Sequence, residues 1–136
     1  MYLLDTNVIS ETRKVTPHGG VMAWLRSRKD EKVFLPAVVF GEIQTGVEKP
    51  RRQDPQKALE IEDWILRLLA AFDVIPMTAI EFREWARLMN KRSDHLTRDA
   101  MIAATAKVHR LTVVTRNTKD FRHFGVETLN PFLYKQ

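Results

Sequence analysis

Four acidic side chains stand where a carboxylate could bind a metal ion, and they are Asp5, Glu42, Asp99 and Asp120. Asp5 directly follows a short apolar run, and Asp120 comes soon after a run of β-branched residues at 112–115. Ligands of open parallel sheets bind at the carboxyl ends of the strands. Carboxylates in such positions can hold a hard cation, which prefers oxygen ligands. The chemistry to consider first is therefore metal-dependent.

Each acid also has a simpler structural interpretation. Asp5 would serve as a helix N-cap, and Asp99 would interact favourably with the dipole at the start of a helix. Glu42 would be a solvent-facing residue of an amphipathic helix, although its neighbours are apolar and a buried acid would need a partner. Asn117 and Asp120 are typical turn residues. Local sequence leaves both interpretations open.

Polar neighbours add oxygen and nitrogen atoms around these acids. Thr6 and Asn7 follow Asp5 and could orient it, or a water on a metal, through a hydrogen bond. Asn117 could supply a further oxygen ligand at the end of its strand. Glu11 lies one or two helical turns beyond Asp5 and could join the acidic pocket or face water.

The acids are positioned by short strands that alternate with helices. The apolar and β-branched runs predict five strands, at 2–5, 33–35, 74–75, 111–115 and 126–129. Helices are predicted near 7–14, around 21–25, from Pro36 to about 47, over 61–72, from Thr78 to about 91 and over 100–109. Pro17 and the glycines 19 and 20 predict a break in the chain. Thr78 and Glu81 predict a capping box, and Thr97 is the predicted cap of the last of these helices. Ala103 and Ala106 share the face of Asp99 and would let that helix pack tightly against the sheet.

This alternation predicts an α/β fold, a three-layer α/β/α sandwich around a mostly parallel sheet. The length of 136 residues predicts a single domain over 1–136. The chain has no internal repeat or low-complexity tract. The polar segment 49–55 is too short for an interdomain linker and reads as a loop.

Composition excludes several classes of function. There is no cysteine, so disulfides and thiolate metal sites are excluded. No Gly-rich phosphate loop and no plausible Ser-His-Asp set is present. We expect neither a membrane span nor a signal peptide, and hence a cytoplasmic location. The net charge of +5 favours a polyanionic partner, but the cations are too dispersed to identify a nucleic acid.

Four segments carry a family resemblance in the right order. They are Leu-Asp-Thr-Asn at 4–7, Gly-Glu-Ile at 41–43, Asp-Ala-Met-Ile-Ala-Ala-Thr-Ala at 99–106 and Val-Thr-Arg-Asn-Thr-Lys-Asp-Phe at 114–121. Together they resemble the PIN domain, specifically the VapC-type toxins of bacterial toxin–antitoxin pairs and their FitB-like branch. The resemblance covers nearly the whole chain, and its last two segments are the most specific.

The resemblance implies a metal-dependent endoribonuclease. Asp5, Glu42 and Asp99 match the first three acids of the family. The fourth position is ambiguous: we expect Asp120 to be the charged member and Asn117 a neutral ligand or water positioner. Thr6 and Asn7 would orient ligands and waters around one or two Mg²⁺ or Mn²⁺ ions, and Arg116 would hold the RNA backbone. Repulsion among four close carboxylates should leave the metal-free site strained or partly protonated.

The same resemblance implies partners and leaves alternatives. It implies a small VapB-like antitoxin that blocks the acidic groove, and a homodimer. A haloacid-dehalogenase-like phosphatase is disfavoured because its Asp-x-Asp motif would need an acid at Asn7. A non-catalytic PIN-like module that binds RNA or protein is disfavoured because all four acidic positions can be filled, and only Asn117 leaves this alternative open. A DNA nuclease of the wider superfamily would need additional DNA-binding elements for which this chain has little room.

Overall fold

A computed structural model describes residues 1–135 and contains a five-stranded parallel sheet. The strands are β1 (Tyr2–Leu4), β2 (Val33–Pro36), β3 (Asp73–Ile75), β4 (Thr112–Val114) and β5 (Thr128–Leu129). Their order across the sheet is β3-β2-β1-β4-β5, and every neighbouring pair is parallel. The chain first places β2 and β3 on one side of β1, and later places β4 and β5 on the other side. The order therefore reverses between β1 and β4, and open sheets bind ligands at such a point.

Helices connect the strands and complete the predicted α/β/α fold. They are α1 (Thr6–Ile9), α2 (Gly19–Ser27), α3 (Val38–Glu48), α4 (Pro55–Ala71), α5 (Ala79–Met89), α6 (Thr97–His109) and α7 (Thr118–Arg122). Short 3-10 segments lie at Ser10–Arg13, Asp94–Leu96 and Pro131–Leu133. The fold class predicted from the alternation of strands and helices is confirmed.

The core is built from the strands and from the small-residue face of α6. Leu3 and Leu4 of β1 are fully buried, as is Val113 of β4. Ala103 and Ala106 are buried as predicted, because their small side chains let α6 approach its neighbours closely. This close packing brings the first turn of α6, with Asp99, to the carboxyl end of the sheet.

Several boundaries differ from the sequence prediction for identifiable reasons. Gly19 and Gly20 do not break the chain but form the first turn of α2, which His18 caps by accepting a hydrogen bond from the Gly20 N–H. Pro36 ends β2 instead of starting a helix, because it lies opposite Ile75 in the sheet. The first helix is shorter than predicted and continues as a 3-10 turn.

Two further predictions concern helix ends. The capping box of Thr78 and Glu81 is confirmed at the start of α5. Thr97 is not the N-cap of α6 but its first residue, and its hydroxyl donates to the Asp94 carbonyl 2.5 Å away.

Within residues 1–135, the helices are all too short or too polar to cross a membrane.

Candidate active site

Asp5 lies at the end of β1, fully buried, and its backbone is fixed by the sheet. Its N–H donates to the Val114 carbonyl on β4 at 2.9 Å. One carboxylate oxygen, Oδ1, accepts from the Thr6 N–H at 2.7 Å and so caps α1. The other, Oδ2, accepts from the Thr115 hydroxyl at 2.8 Å and from the Asn7 amide at 3.3 Å. Asp5 is therefore both a helix cap and a rigidly oriented carboxylate.

Glu42 comes to the same place from α3. Its side chain is partly exposed at 39%, and its Oε1 accepts from the Thr6 hydroxyl at 2.5 Å. Thr6 therefore links the first and second predicted acids, because its N–H donates to Asp5 and its hydroxyl donates to Glu42. Thr6, which the sequence predicted to orient Asp5 or a metal-bound water, thus contacts both acids.

Arg98 joins three carboxylates from three different elements. Its Nη1 donates to Asp5 Oδ1 at 2.9 Å and to Glu42 Oε1 at 3.3 Å, and its Nη2 donates to Asp99 Oδ1 at 2.6 Å. The guanidinium is only partly exposed, at 32%. Three of the four acids predicted from scattered positions thus converge on a single positive charge.

Asp99 has the most perturbed environment of the acids at this site. Its burial raises its pKa, Arg98 acts in the opposite direction, and the negative charges of Asp5, Asp120 and Glu42 raise it further. Like charges held close together disfavour the ionised form. Repulsion from these neighbouring acids thus contributes to the raised pKa of Asp99, and a further cation would relieve it.

Polar residues at the end of β4 complete the first layer around Asp5. The fully buried Thr115 donates to Asp5 and accepts from the Asn117 N–H at 3.0 Å. Asn7 contacts Asp5 through its amide nitrogen and accepts the Arg116 N–H at 3.2 Å through its amide oxygen. The loop after β4 is thereby tied to the start of α1.

The fourth acidic position is the least constrained. Asp120 is exposed in the first turn of α7 and lies close enough to Asp99 to raise its pKa. Asn117 is also exposed, at the N-terminus of α7, and within the described residues its side chain makes no capping hydrogen bond there. Asp120 thus adds negative charge at the rim of the site, whereas Asn117 contributes its backbone N–H.

Glu11 is not part of this cluster. It is buried, forms an ion pair with Lys14, and accepts the His18 N–H at 2.9 Å. The interactions with Lys14 and His18 lower its pKa despite its burial. Both alternatives considered for Glu11, joining the acidic pocket and facing water, are wrong, because it holds the segment between α1 and α2 in place.

Sequence reasoning missed two residues of the site, Arg98 and Thr115. Arg98 did carry a usable signal, since a cation in the first turn of a helix is unfavourable unless an acid pairs with it. Thr115 offered none, because a β-branched residue at a strand end is ordinary.

The donor set suits a hard divalent cation. The carboxylates supply oxygen only, and a single guanidinium does not balance the charges of Asp5, Glu42 and Asp99. Within residues 1–135 no three acidic or histidine side chains are already arranged as a metal cage. The guanidinium of Arg98 lies between the three carboxylates. The cluster therefore accommodates positive charge.

Two clefts run along α3 on either side of Glu42. The larger, about 630 Å³, includes Arg98 and Lys49, and its lining residues are Val38, Gly41, Glu42, Thr45, Gly46, Lys49 and Arg98. The smaller, about 290 Å³, includes Arg13 and Trp64 and extends from Thr6. The acidic cluster thus opens onto a surface that also carries basic side chains.

Comparison with known proteins agrees with this fold and site. The PIN domain model matches residues 2–127. Over 140 aligned positions the chain is 39% identical to Toxin FitB of Neisseria gonorrhoeae, covering 97% of this chain and 99% of that protein. It is 36% identical to VapC ribonuclease Y4jK of Sinorhizobium fredii, covering 97% and 98%.

A solved structure gives the same result at the level of the fold. The crystal structure of FitAcB from Neisseria gonorrhoeae aligns with a TM-score of 0.80 at 34% identity, covering 98% of this chain and 99% of that chain. This chain belongs to the PIN-domain family, among the relatives of the FitB and VapC proteins. The family resemblance stated from four sequence segments is therefore confirmed.

Proposed function

We propose that this protein is a divalent-metal-dependent endoribonuclease and the toxin of a toxin–antitoxin pair. The observation that carries the proposal is the convergence of Asp5, Glu42 and Asp99 on one cation at the carboxyl end of a PIN-domain sheet. The relatives add the substrate class, since one of them is named a VapC ribonuclease and another a toxin.

Asp5, Glu42 and Asp99 would hold the ion, with Asp120 at the rim. When bound, Mg²⁺ or Mn²⁺ supplies Lewis-acid chemistry, lowering the pKa of a water and neutralising charge on the phosphodiester. Oxygen-only donors favour these hard ions over zinc or copper. The acids therefore fit the cofactor that the family resemblance implies.

The chain's own residues orient the acids. The hydroxyls of Thr115 and Thr6 hold Asp5 and Glu42 in fixed directions, and Asn7 supports Asp5 from the side. Residues that fix the ligands of a metal in this way set its affinity and geometry. Asn117, at the open edge of the site, would position a water.

Basic side chains near the acids would hold the RNA backbone. The exposed guanidinium of Arg116 lies 3.8 Å from the centre of the Phe132 ring, which limits its motion. From this position it would reach a phosphate of the RNA backbone. Lys49 and Arg13 line the two clefts beside Glu42. Such contacts position RNA without reading its sequence.

The proposal includes a protein partner. We infer a VapB-like antitoxin that covers the clefts beside Glu42, a homodimer of this chain, and a cytoplasmic location. Exposed apolar side chains on α4 and α5 offer surfaces for such contacts, and they are Leu59, Leu66, Leu69, Ile80 and Phe82. The phosphatase alternative is disfavoured further, because Asn7 has an amide already committed to Asp5 and to the Arg116 N–H.

The test is cleavage of total cellular RNA by the purified, partner-free protein. We expect cleavage with Mg²⁺ or Mn²⁺, none with EDTA, and none from Asp99→Asn prepared in the same way, which controls for contaminating nucleases. Mapping the cut ends would identify the target. Folded protein that cleaves no RNA with either metal would contradict the proposal and favour a non-catalytic binding module.

A further inference from the structure

Arg98 is the feature of this site that the nuclease chemistry does not by itself require. Its guanidinium donates to Asp5, Glu42 and Asp99 at distances of 2.6 to 3.3 Å, and it also lies 3.3 Å from the Thr6 hydroxyl. These partners come from β1, α1, α3 and α6. No local helix or turn interaction explains why one arginine bridges them.

Arg98 contacts one oxygen of each of the three acids that would hold the proposed metal. Asp5 Oδ1 already accepts from the Thr6 N–H, and Arg98 is its second donor. The contacted oxygens of Glu42 and Asp99 likewise face the guanidinium. A guanidinium and a divalent ion repel each other, so at this cluster the two cations compete for the same carboxylates.

We propose that Arg98 is a built-in competitor of the metal ion: it neutralises the acids until a metal ion binds, and it swings away when the ion takes its place. This inference rests on the proposed function, since it concerns the same acids. The larger cleft beside Glu42, which Arg98 itself lines, gives the side chain room to move. The metal-free protein is thereby spared a buried, unpaired carboxylate at Asp5, which would be costly.

The proposal predicts opposite effects on stability and on metal affinity. Apparent affinity falls in proportion to the fraction of molecules whose site is competent to bind. If Arg98 vacates the site in about a tenth of molecules, removing it tightens metal binding about tenfold. The same change leaves the carboxylates unneutralised and lowers the melting temperature of the metal-free protein.

The experiment compares Arg98→Gln with the unaltered chain by calorimetric titration with Mn²⁺ after removal of bound metal. Melting curves are recorded with EDTA and with Mn²⁺. We expect Arg98→Gln to bind Mn²⁺ about tenfold more tightly and to melt lower in EDTA. Arg122→Gln, which removes the same charge from α7 but no partner of the acids, is the matched control and should change neither quantity.

A second variant covers the case in which Arg98→Gln does not fold. Arg98→Lys keeps the charge but loses the planar fork that reaches several carboxylates at once, so its Mn²⁺ affinity should lie above that of the unaltered chain. Folded variants that bind Mn²⁺ no more tightly than the unaltered chain would overturn the competitor role and leave the nuclease proposal standing. Absence of Mn²⁺ binding by every variant would overturn both.

Discussion

Asp5 shows how one carboxylate can serve structure and chemistry together. It caps α1 through the Thr6 N–H, and its other oxygen is held by Thr115. The competing interpretations of Asp5 from sequence, helix cap or site residue, are therefore compatible. The contacts from Thr6, Thr115 and Asn7 leave little freedom, which is the condition for a preorganised metal ligand.

Thr115 is the residue whose removal tests this orientation. Thr115→Val keeps the shape but removes the donor to Asp5 and the acceptor for the Asn117 N–H. We expect a cost of about 1–3 kcal/mol in the free energy of unfolding and a fall of roughly 10–100-fold in Mn²⁺ affinity. Urea denaturation and calorimetric titration measure these quantities. Thr115→Ser, which retains the hydroxyl, is the control, and equal metal affinity in Thr115→Val would show that Asp5 needs no such support.

The fourth site residue is decided by comparing Asp120 with Asn117. Asp120 adds negative charge beside Asp99, whereas Asn117 contributes chiefly its backbone N–H. We expect Asp120→Asn to lower the rate of RNA cleavage by about tenfold or more, and Asn117→Ala to lower it less. Initial rates on one mapped RNA at saturating Mn²⁺ give the comparison. The reverse ranking would assign the fourth position to Asn117.

At the scale of elements, the start of α5 is fixed by the buried Glu81. Its carboxylate accepts from the Thr78 hydroxyl and, at 2.7 Å, from the Thr78 N–H, and its other oxygen lies 3.0 Å from His109 Nε2 at the end of α6. The Thr78 hydroxyl above all, with the Thr78 N–H and His109, lowers the pKa of Glu81 to about 2 against the effect of burial. The capping box therefore also ties α5 to α6.

This depressed pKa makes a prediction about acid stability. A group whose pKa is lower in the folded state stabilises above its unfolded pKa, here 4.5, and loses that contribution as the pH falls toward 2. We expect Glu81→Gln to lower the free energy of unfolding by about 1 kcal/mol near neutral pH, and the difference from the unaltered chain to disappear as the pH falls below about 2. Urea denaturation across this range provides the test.

Glu84→Gln is the matched control for Glu81, because Glu84 is a more exposed acid on the same helix, paired with Arg87. Its effect should be small at every pH, as is usual for surface ion pairs. A Glu81→Gln difference that stayed constant from neutral to acid pH would contradict the ionised capping box.

The sequence predicts elements that depend on residues close together in the chain, and it misses contacts between residues that are far apart in the chain. The apolar run before Asp5, the capping box at Thr78 and the small residues of α6 each act within a few positions, and each was predicted correctly. The ion pair between Arg98 and Asp5 joins residues 93 positions apart, and no periodic pattern in the sequence predicts it. Convergence of the acids was available from sequence only through the family resemblance.

At the scale of the whole molecule, a basic protein surrounds an acidic site. The net charge of +5 attracts RNA, while the acids would concentrate metal ions at one edge of the sheet. The reversal of strand order between β1 and β4 puts that edge where loops diverge and leave a cleft. Long-range attraction and local chemistry are thus supplied by different residues.

Arg116 tests the electrostatic part of this description. Arg116→Gln should weaken RNA binding by a similar factor for different sequences, because a phosphate contact does not read bases. It should also reduce the magnitude of the slope of log K against log salt concentration by about 0.7, the value for one lost phosphate contact on single-stranded RNA. Fluorescence anisotropy in EDTA measures binding without cleavage. Arg83→Gln, an exposed α5 residue outside both clefts beside Glu42, is the control. A strongly sequence-dependent loss would indicate that Arg116 reads bases.

The central claim is that metal held at Asp5 cleaves RNA, and its most direct test is the cleavage rate of one mapped RNA by the unaltered chain and by Asp5→Asn. The unaltered protein should stop cleaving in EDTA and resume when excess Mn²⁺ is added. Asp5→Asn, shown to be folded by its circular dichroism and melting curve, should be slower by about a hundredfold or more, because a metal ligand contributes several kcal/mol to the transition state. A folded Asp5→Asn protein that cleaves at the unaltered rate would contradict the account.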